Sequence, residues 1–185
     1  FVMQNPEQYS KKIETHHQVE QSQVYLVEST KSALNENIAQ IVNTIRSNDP
    51  TGSIALLSRY RYLLNKAQAE LSRIDINKGI LYWTFHGSKG LEADYCILVG
   101  FSKGNTGFPN VNKEDSVLEA LLPKIDDFKH SEERRLLYVA MTRAKKKVYL
   151  IADPIAPSEF ISELVSENYD LQIVAKNSLN QPALN

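Results

Sequence analysis

Five short apolar runs rich in β-branched and aromatic residues recur along the chain: "VYLVE" (24–28), "SIALLS" (53–58), "ILYWTF" (80–85), "YCILVG" (95–100) and "VYLIAD" (148–153). Stretches of helical period separate most of them. Strands that alternate with helices build parallel sheets from βαβ units, and continuous rather than alternating hydrophobicity suits strands covered on both faces. The expected class is therefore α/β, with a mainly parallel sheet between two helical layers. In "SALNENIAQIVNTIRS", Leu34, Ile38, Ile41, Val42 and Ile45 form one helical stripe, and "LLNKAQAELSRI" repeats the pattern more weakly. "SEERRLLYVAMTRAKK" reads as the strongest helix: Ser131 as its cap, Glu132 and Glu133 at its positive end, and Leu136, Ala140 and Arg143 along one stripe.

Other segments read as irregular. "FSKGNTGFPNVNKED" has the Gly, Pro and Asn density of a loop leaving a strand end, "DLQIVAK" suits a short edge strand, and "NSLNQPALN" suits a frayed end. A length of 185 residues supports one substantial core, with no internal repeat. Twenty-one basic residues against 22 acidic ones give a formal charge of −1, so attraction to nucleic acid must come from a local patch. Cys96 is the single cysteine and lies inside an apolar run, which suits a buried thiol and excludes an internal disulfide. No apolar run approaches the ~20 residues of a membrane span, and the N-terminus lacks the pattern of a secretory signal; a soluble, cytoplasmic chain is expected. A start at Phe1 suggests a fragment or a processed chain.

"TFHGSKGLEADY" (84–95) looks at first like a phosphate loop. Its order is wrong, because Lys89 precedes Gly90, whereas a P-loop lysine follows the second glycine at the mouth of a helix. Polar residues concentrate in three places where open α/β sheets put ligands: "LLSRYR", "TFHGSKGLE" and "EERRLLYVAMTRAKKK". Singly each has a plain explanation. Arg59 and Arg61 suit a solvated turn, His86 a hydrogen-bonded loop histidine, and Lys145 to Lys147 a solvated helix end opposing the macrodipole. The acids after Arg143 (Asp153, Glu159, Glu163, Glu167 and Asp170) are too scattered for a metal-dependent nuclease, and no metal site is expected.

Together the three segments are specific. "TFHGSKGLEADYCILVG" followed by "EERRLLYVAMTRAKKKVYLI" resembles motifs V and VI of the UvrD/Rep-type helicases of superfamily 1, and "IALLSRYRYLL" resembles their motif IV. The "GFP" of Gly107 to Pro109, with "EALLP" and "DDF" after it, is similar to the helicase IV branch. The resemblance implies a three-layer RecA-like fold, the second motor domain of an ATP-dependent DNA helicase. A P-loop domain of the same protein would supply the triphosphate lysine and the acids that hold Mg²⁺. Residues 1–166 would form the motor domain and 167–185 a tail. Arg59 and Arg143 would be the arginines that reach the γ-phosphate, with Glu92 on the ribose and Gly90 in the nucleotide-binding group. Thr84, His86, Ser88 and Lys89 would face single-stranded DNA, and the isolated fragment would be inactive.

Guanidinium suits the arginine role, since phosphoryl transfer asks the protein mainly for positioning and charge stabilisation. Two departures matter. Ser58 stands where many relatives place an aromatic that stacks on adenine, leaving Tyr60 or Tyr62 as substitutes, and only about twenty residues separate Arg59 from Ile80, so the large accessory insertion is missing. A helicase-like factor that remodels RNA polymerase, or a nucleic-acid-binding module that kept the fold without the motor, are the alternatives.

Overall fold

The computed structural model describes residues 23–104, 107–109, 129–167 and 169–174. Residues 1–22, most of the expected loop and the expected frayed end lie outside the described residues. In chain order the elements are β1 (Val24–Glu28), α1 (Leu34–Asn48), β2 (Ile54–Ser58), α2 (Arg61–Arg73), β3 (Ile80–Thr84), a 3₁₀ turn (His86–Ser88), β4 (Ala93–Phe101), α3 (Ser131–Met141), β5 (Ala144–Ala152), α4 (Glu159–Ser166) and β6 (Gln172–Val174).

The six strands form one sheet in the order β3-β2-β4-β5-β1-β6, and every pairing is parallel. Period-2 alternation sorts each strand's side chains onto two cores. Ile54 and Leu56 of β2, Ile97 and Val99 of β4 and Ile151 of β5 pack under α1 and α2 with Ile38, Ile41, Val42, Ile45, Leu64 and Leu71. Ala55 and Leu57, Cys96 and Leu98, and Val148 and Leu150 face the other way, beneath Leu137 and Ala140 of α3 and Phe160, Ile161 and Leu164 of α4. Both faces are covered, which is why these strands read as unbroken apolar runs. The α1 stripe is buried as its spacing predicts, apart from Leu34, which packs at the margin. β6 extends the sheet beyond β1, so part of the expected tail belongs to the fold.

The region around α3 differs from the sequence reading in three ways. Its first residue is Ser131, but the cap position is His130, in the left-handed region at φ 57°, and no side chain caps the helix; Ser131 is not the cap. The buried stripe is Arg134, Leu137 and Ala140, with Leu136 half-buried beside it. The helix also stops at Met141, so Arg143 lies in the turn beyond it and Lys145 to Lys147 lie on β5. Periodicity overran the boundary because Thr142, Ala144 and the lysines carry no breaker, while pairing with β4 from Ala144 onward pulls that segment into the sheet.

Candidate functional site

Chain direction sets the site. Between β3 and β4 there is no crossover helix: residues 85–92 return from the C-terminal end of β3 to the N-terminal end of β4 through the 3₁₀ turn, which packs against α3. Phe85 anchors this return, fully buried, with its N–H donating to the Ser58 carbonyl at 2.9 Å. Thr84 Oγ1 accepts from Gly87 N–H at 3.0 Å and closes the turn. A Cβ on Gly87 would stand 2.9 Å from that oxygen, so glycine lets the hydroxyl stay there. Ser88 is buried and its hydroxyl donates to the Phe85 carbonyl at 2.7 Å, so it braces the turn from inside and is not presented to a phosphate. His86, Lys89 and Gly90 are exposed, the last at φ 81°.

Arg143 stands where this return meets the end of α3. Its Nε donates to the Val139 carbonyl at 2.9 Å, filling one of the acceptors that a helix C-terminus leaves unpaired, while one terminal nitrogen reaches the Leu91 carbonyl at 3.3 Å and the other the Thr142 hydroxyl at 3.2 Å. The backbone doubles the link, Ala93 N–H donating to the Arg143 carbonyl at 3.0 Å. Glu92 is thereby held between two residues tied to Arg143, and its carboxylate meets Lys145 Nζ at 3.3 Å on the open surface. Arg143 and Glu92, distant in sequence, thus meet at one edge through Leu91 and Ala93. Among the described residues every partner of the Arg143 guanidinium is a neutral oxygen, and no carboxylate neutralises it.

Arg59 occupies the far end of α3. It follows β2, and its Nε donates to both carboxylate oxygens of Glu133, at 3.1 and 3.3 Å, with NH2 3.1 Å from one of them. Both side chains are 15% exposed. Arg59 also lies over the Tyr60 ring, 5.5 Å from its centre. The two arginines therefore engage α3 near its opposite ends, at Glu133 and at the Val139 carbonyl, roughly 9 Å apart along its axis at ~1.5 Å per residue. Ser58 is fully buried and offers no surface to a base; Tyr60 and Tyr62 pair at 5.7 Å, and Tyr62 is half exposed.

The lysine run is neither a helix end nor a free basic patch. Lys145 meets Glu92, Lys146 meets Asp49 at 2.7 Å and Asp94 at 3.6 Å, and Lys147 lies over the Tyr25 ring. Among the described residues no group of three metal-ligating side chains converges, and no helix is long and apolar enough to cross a membrane.

The model for the UvrD-like helicase C-terminal domain matches residues 2–153. The chain belongs to that family. It is 35% identical over 181 residues to DNA helicase IV of Escherichia coli K12, an alignment that takes in 95% of this chain and 25% of that protein. It is 27% identical over 124 residues to the ATP-dependent DNA helicase PcrA of Staphylococcus epidermidis, covering 62% of this chain and 16% of the relative. The chain thus spans about a quarter or less of these relatives. A solved C-terminal domain of a possible DNA helicase from Lactobacillus strain WCFS1 superposes with a TM-score of 0.57 at 15% identity, over 80% of this chain and 83% of that one, and shares the fold.

For this UvrD-like domain, the sequence pointed to Arg59, Arg143, Glu92 and the 84–90 turn but passed over Glu133 and Arg134 as a plain helix start. Two acids followed by two arginines at the start of a helix was the available signal. Arg134 proves internal, its guanidinium bound by Glu163.

Proposed function

We propose that the chain is the second motor domain of an ATP-dependent DNA helicase or translocase, and that it supplies arginines in trans to a nucleotide held by the P-loop domain of the same protein. The observation that carries this reading is Arg143: a guanidinium on an open edge beside Glu92, held among the described residues by neutral oxygens. An uncompensated cation of that kind attracts polyanions, and its hydrogen bonds to carbonyls are weaker than those it would make to phosphate. Arg143 then acts at the γ-phosphate, Glu92 accepts from the ribose, and Gly90 keeps the backbone low at the edge. The nucleotide's Mg²⁺ would be held by acids of the P-loop domain, where the metal neutralises developing phosphate charge. Arg59 joins from the other end of α3 as the domains close, its guanidinium already oriented on Glu133. Thr84, His86 and Lys89 form the edge offered to single-stranded DNA, with Thr84 acting through the turn it closes.

The test is DNA-stimulated ATP hydrolysis by the full-length protein carrying Arg143→Lys and Arg143→Ala. A trans arginine is worth about 10³ to 10⁵ in turnover, so both variants lose most activity while nucleotide and DNA binding change little. Lysine does not rescue, because it keeps charge without the planar fork. Turnover within a few-fold of the parent in both folded variants would make Arg143 a helix-terminating surface residue. The chain by itself, lacking the P-loop, shows no DNA-stimulated hydrolysis.

A further inference from the structure

We propose that Glu133 is a positioning residue for Arg59, setting the direction of its guanidinium and linking it mechanically to the helix that ends beside Arg143. The inference rests on the trans role proposed for Arg59. An arginine in a turn has rotamer freedom to lose before it can point in one direction. Glu133 removes most of that freedom in advance. Its carboxylate engages the Nε and NH2 nitrogens together, which fixes the plane of the fork and not merely the position of a charge. Both groups are 15% exposed, so water competes weakly for either.

The placement of Glu133 gives the pair a second consequence. It lies in the first turn of α3, and the last turn of the same helix supplies the Val139 carbonyl to Arg143. Leu137 and Ala140, fully buried, seat the helix on the sheet between those points. A shift of α3 when Arg143 engages a phosphate is therefore passed to Arg59 through Glu133. The carboxylate also opposes Arg59's charge, so its removal has two separable effects: orientation is lost, and attraction to an anion rises.

That separation defines the experiment, made on the full-length protein. Glu133→Gln keeps the size but turns one of the two accepting oxygens into an NH2 that faces a donor-only guanidinium; it lowers kcat about 10- to 100-fold, the usual consequence of misplacing a reacting contact, while KM for ATP stays level or falls. In an Arg59→Ala background the same Glu133→Gln change costs nothing further in kcat, because there is no guanidinium left to aim. An equal kcat loss in both backgrounds would overturn the proposal, and so would an unchanged kcat with only a lowered melting temperature, which is what an ordinary helix-end ion pair produces. Arg59→Ala alone reports on the prior reading: an unchanged kcat there removes Arg59 from the reaction, and Glu133's role with it.

Discussion

Arg134 and Glu163 are joined by two parallel hydrogen bonds, each 2.6 Å, with the guanidinium face 5.1 Å from the centre of the Phe160 ring. The side chains are 10% and 17% exposed, and Arg134 Nε also donates to the Lys129 carbonyl. This pair locks α3 to α4 on one face of the sheet. Breaking it from one side leaves a poorly hydrated charge. Arg134→Ala or Glu163→Ala should therefore cost about 3–5 kcal/mol, whereas replacing both by apolar residues of similar size should recover much of the loss. Urea unfolding of the two single variants and of the Arg134→Met, Glu163→Leu pair checks this. A loss in the double variant equal to the sum of the single losses would show that the pair does not act as a unit.

A second cluster, at the N-terminal ends of the strands, makes a prediction about pH. The Ser53 hydroxyl and backbone N–H both donate to Asp94 and lower its pKa, in that order of importance, and Asp94 N–H donates back to Ser53 Oγ. Lys146, then the Tyr95 hydroxyl, lower the pKa of Asp49, and Asp49 in turn raises that of Lys146. Carboxylates with lowered values contribute stability that is complete above their ordinary value of 3.8 and disappears as pH falls through the folded-state values. The lysine contribution has the opposite sign: it is complete below 10.5 and is lost as pH rises through the raised value. Melting temperature measured from about pH 2 to pH 7 should thus fall on the acid side less steeply in Asp94→Asn than in the parent. Identical acid limbs would remove Asp94 from the account.

Cys96 offers a probe of opening. Its thiol is fully buried in the sheet, and desolvation pushes its pKa up to about 12. A thiol reagent at neutral pH should react with the native domain only as fast as the sheet opens, and about as fast as with a free thiol once urea has unfolded it. Rapid labelling without denaturant would show that the layer of α3 and α4 opens locally.

His86 and Lys89 test the nucleic-acid edge. Both are exposed on a turn whose fold depends on Thr84, Phe85, Gly87 and Ser88. In the full-length protein, His86→Ala should weaken single-stranded DNA binding or uncouple it from ATP turnover while leaving the melting temperature unchanged. If Lys89 meets a phosphate, Lys89→Ala should reduce the salt dependence of binding by about one unit of slope, equally for all sequences. Unchanged DNA affinity with a lowered melting temperature would make the turn purely structural.

The α/β class, the five strand cores and the α1 stripe were legible in the sequence, since burial on both faces of a sheet and on one face of a helix leaves its period in the order of residues. The family motifs likewise pointed to Arg59, Glu92 and Arg143 as local strings. Tertiary structure decided what those strings could not carry. The end of α3 at Met141 follows from the pairing of Ala144 onward with β4, a long-range contact. Ser88 faces inward because Phe85, buried beneath it, turns its carbonyl to the hydroxyl, and Lys145 to Lys147 find carboxylates or a ring on elements remote in the chain. Arg59 and Arg143 are both arginines after a run of apolar residues, yet among the described residues one is charge-paired and the other is not. That difference depends on which side chains the fold brings alongside, and Glu133, 74 positions from Arg59, becomes its neighbour only because α3 packs across the sheet.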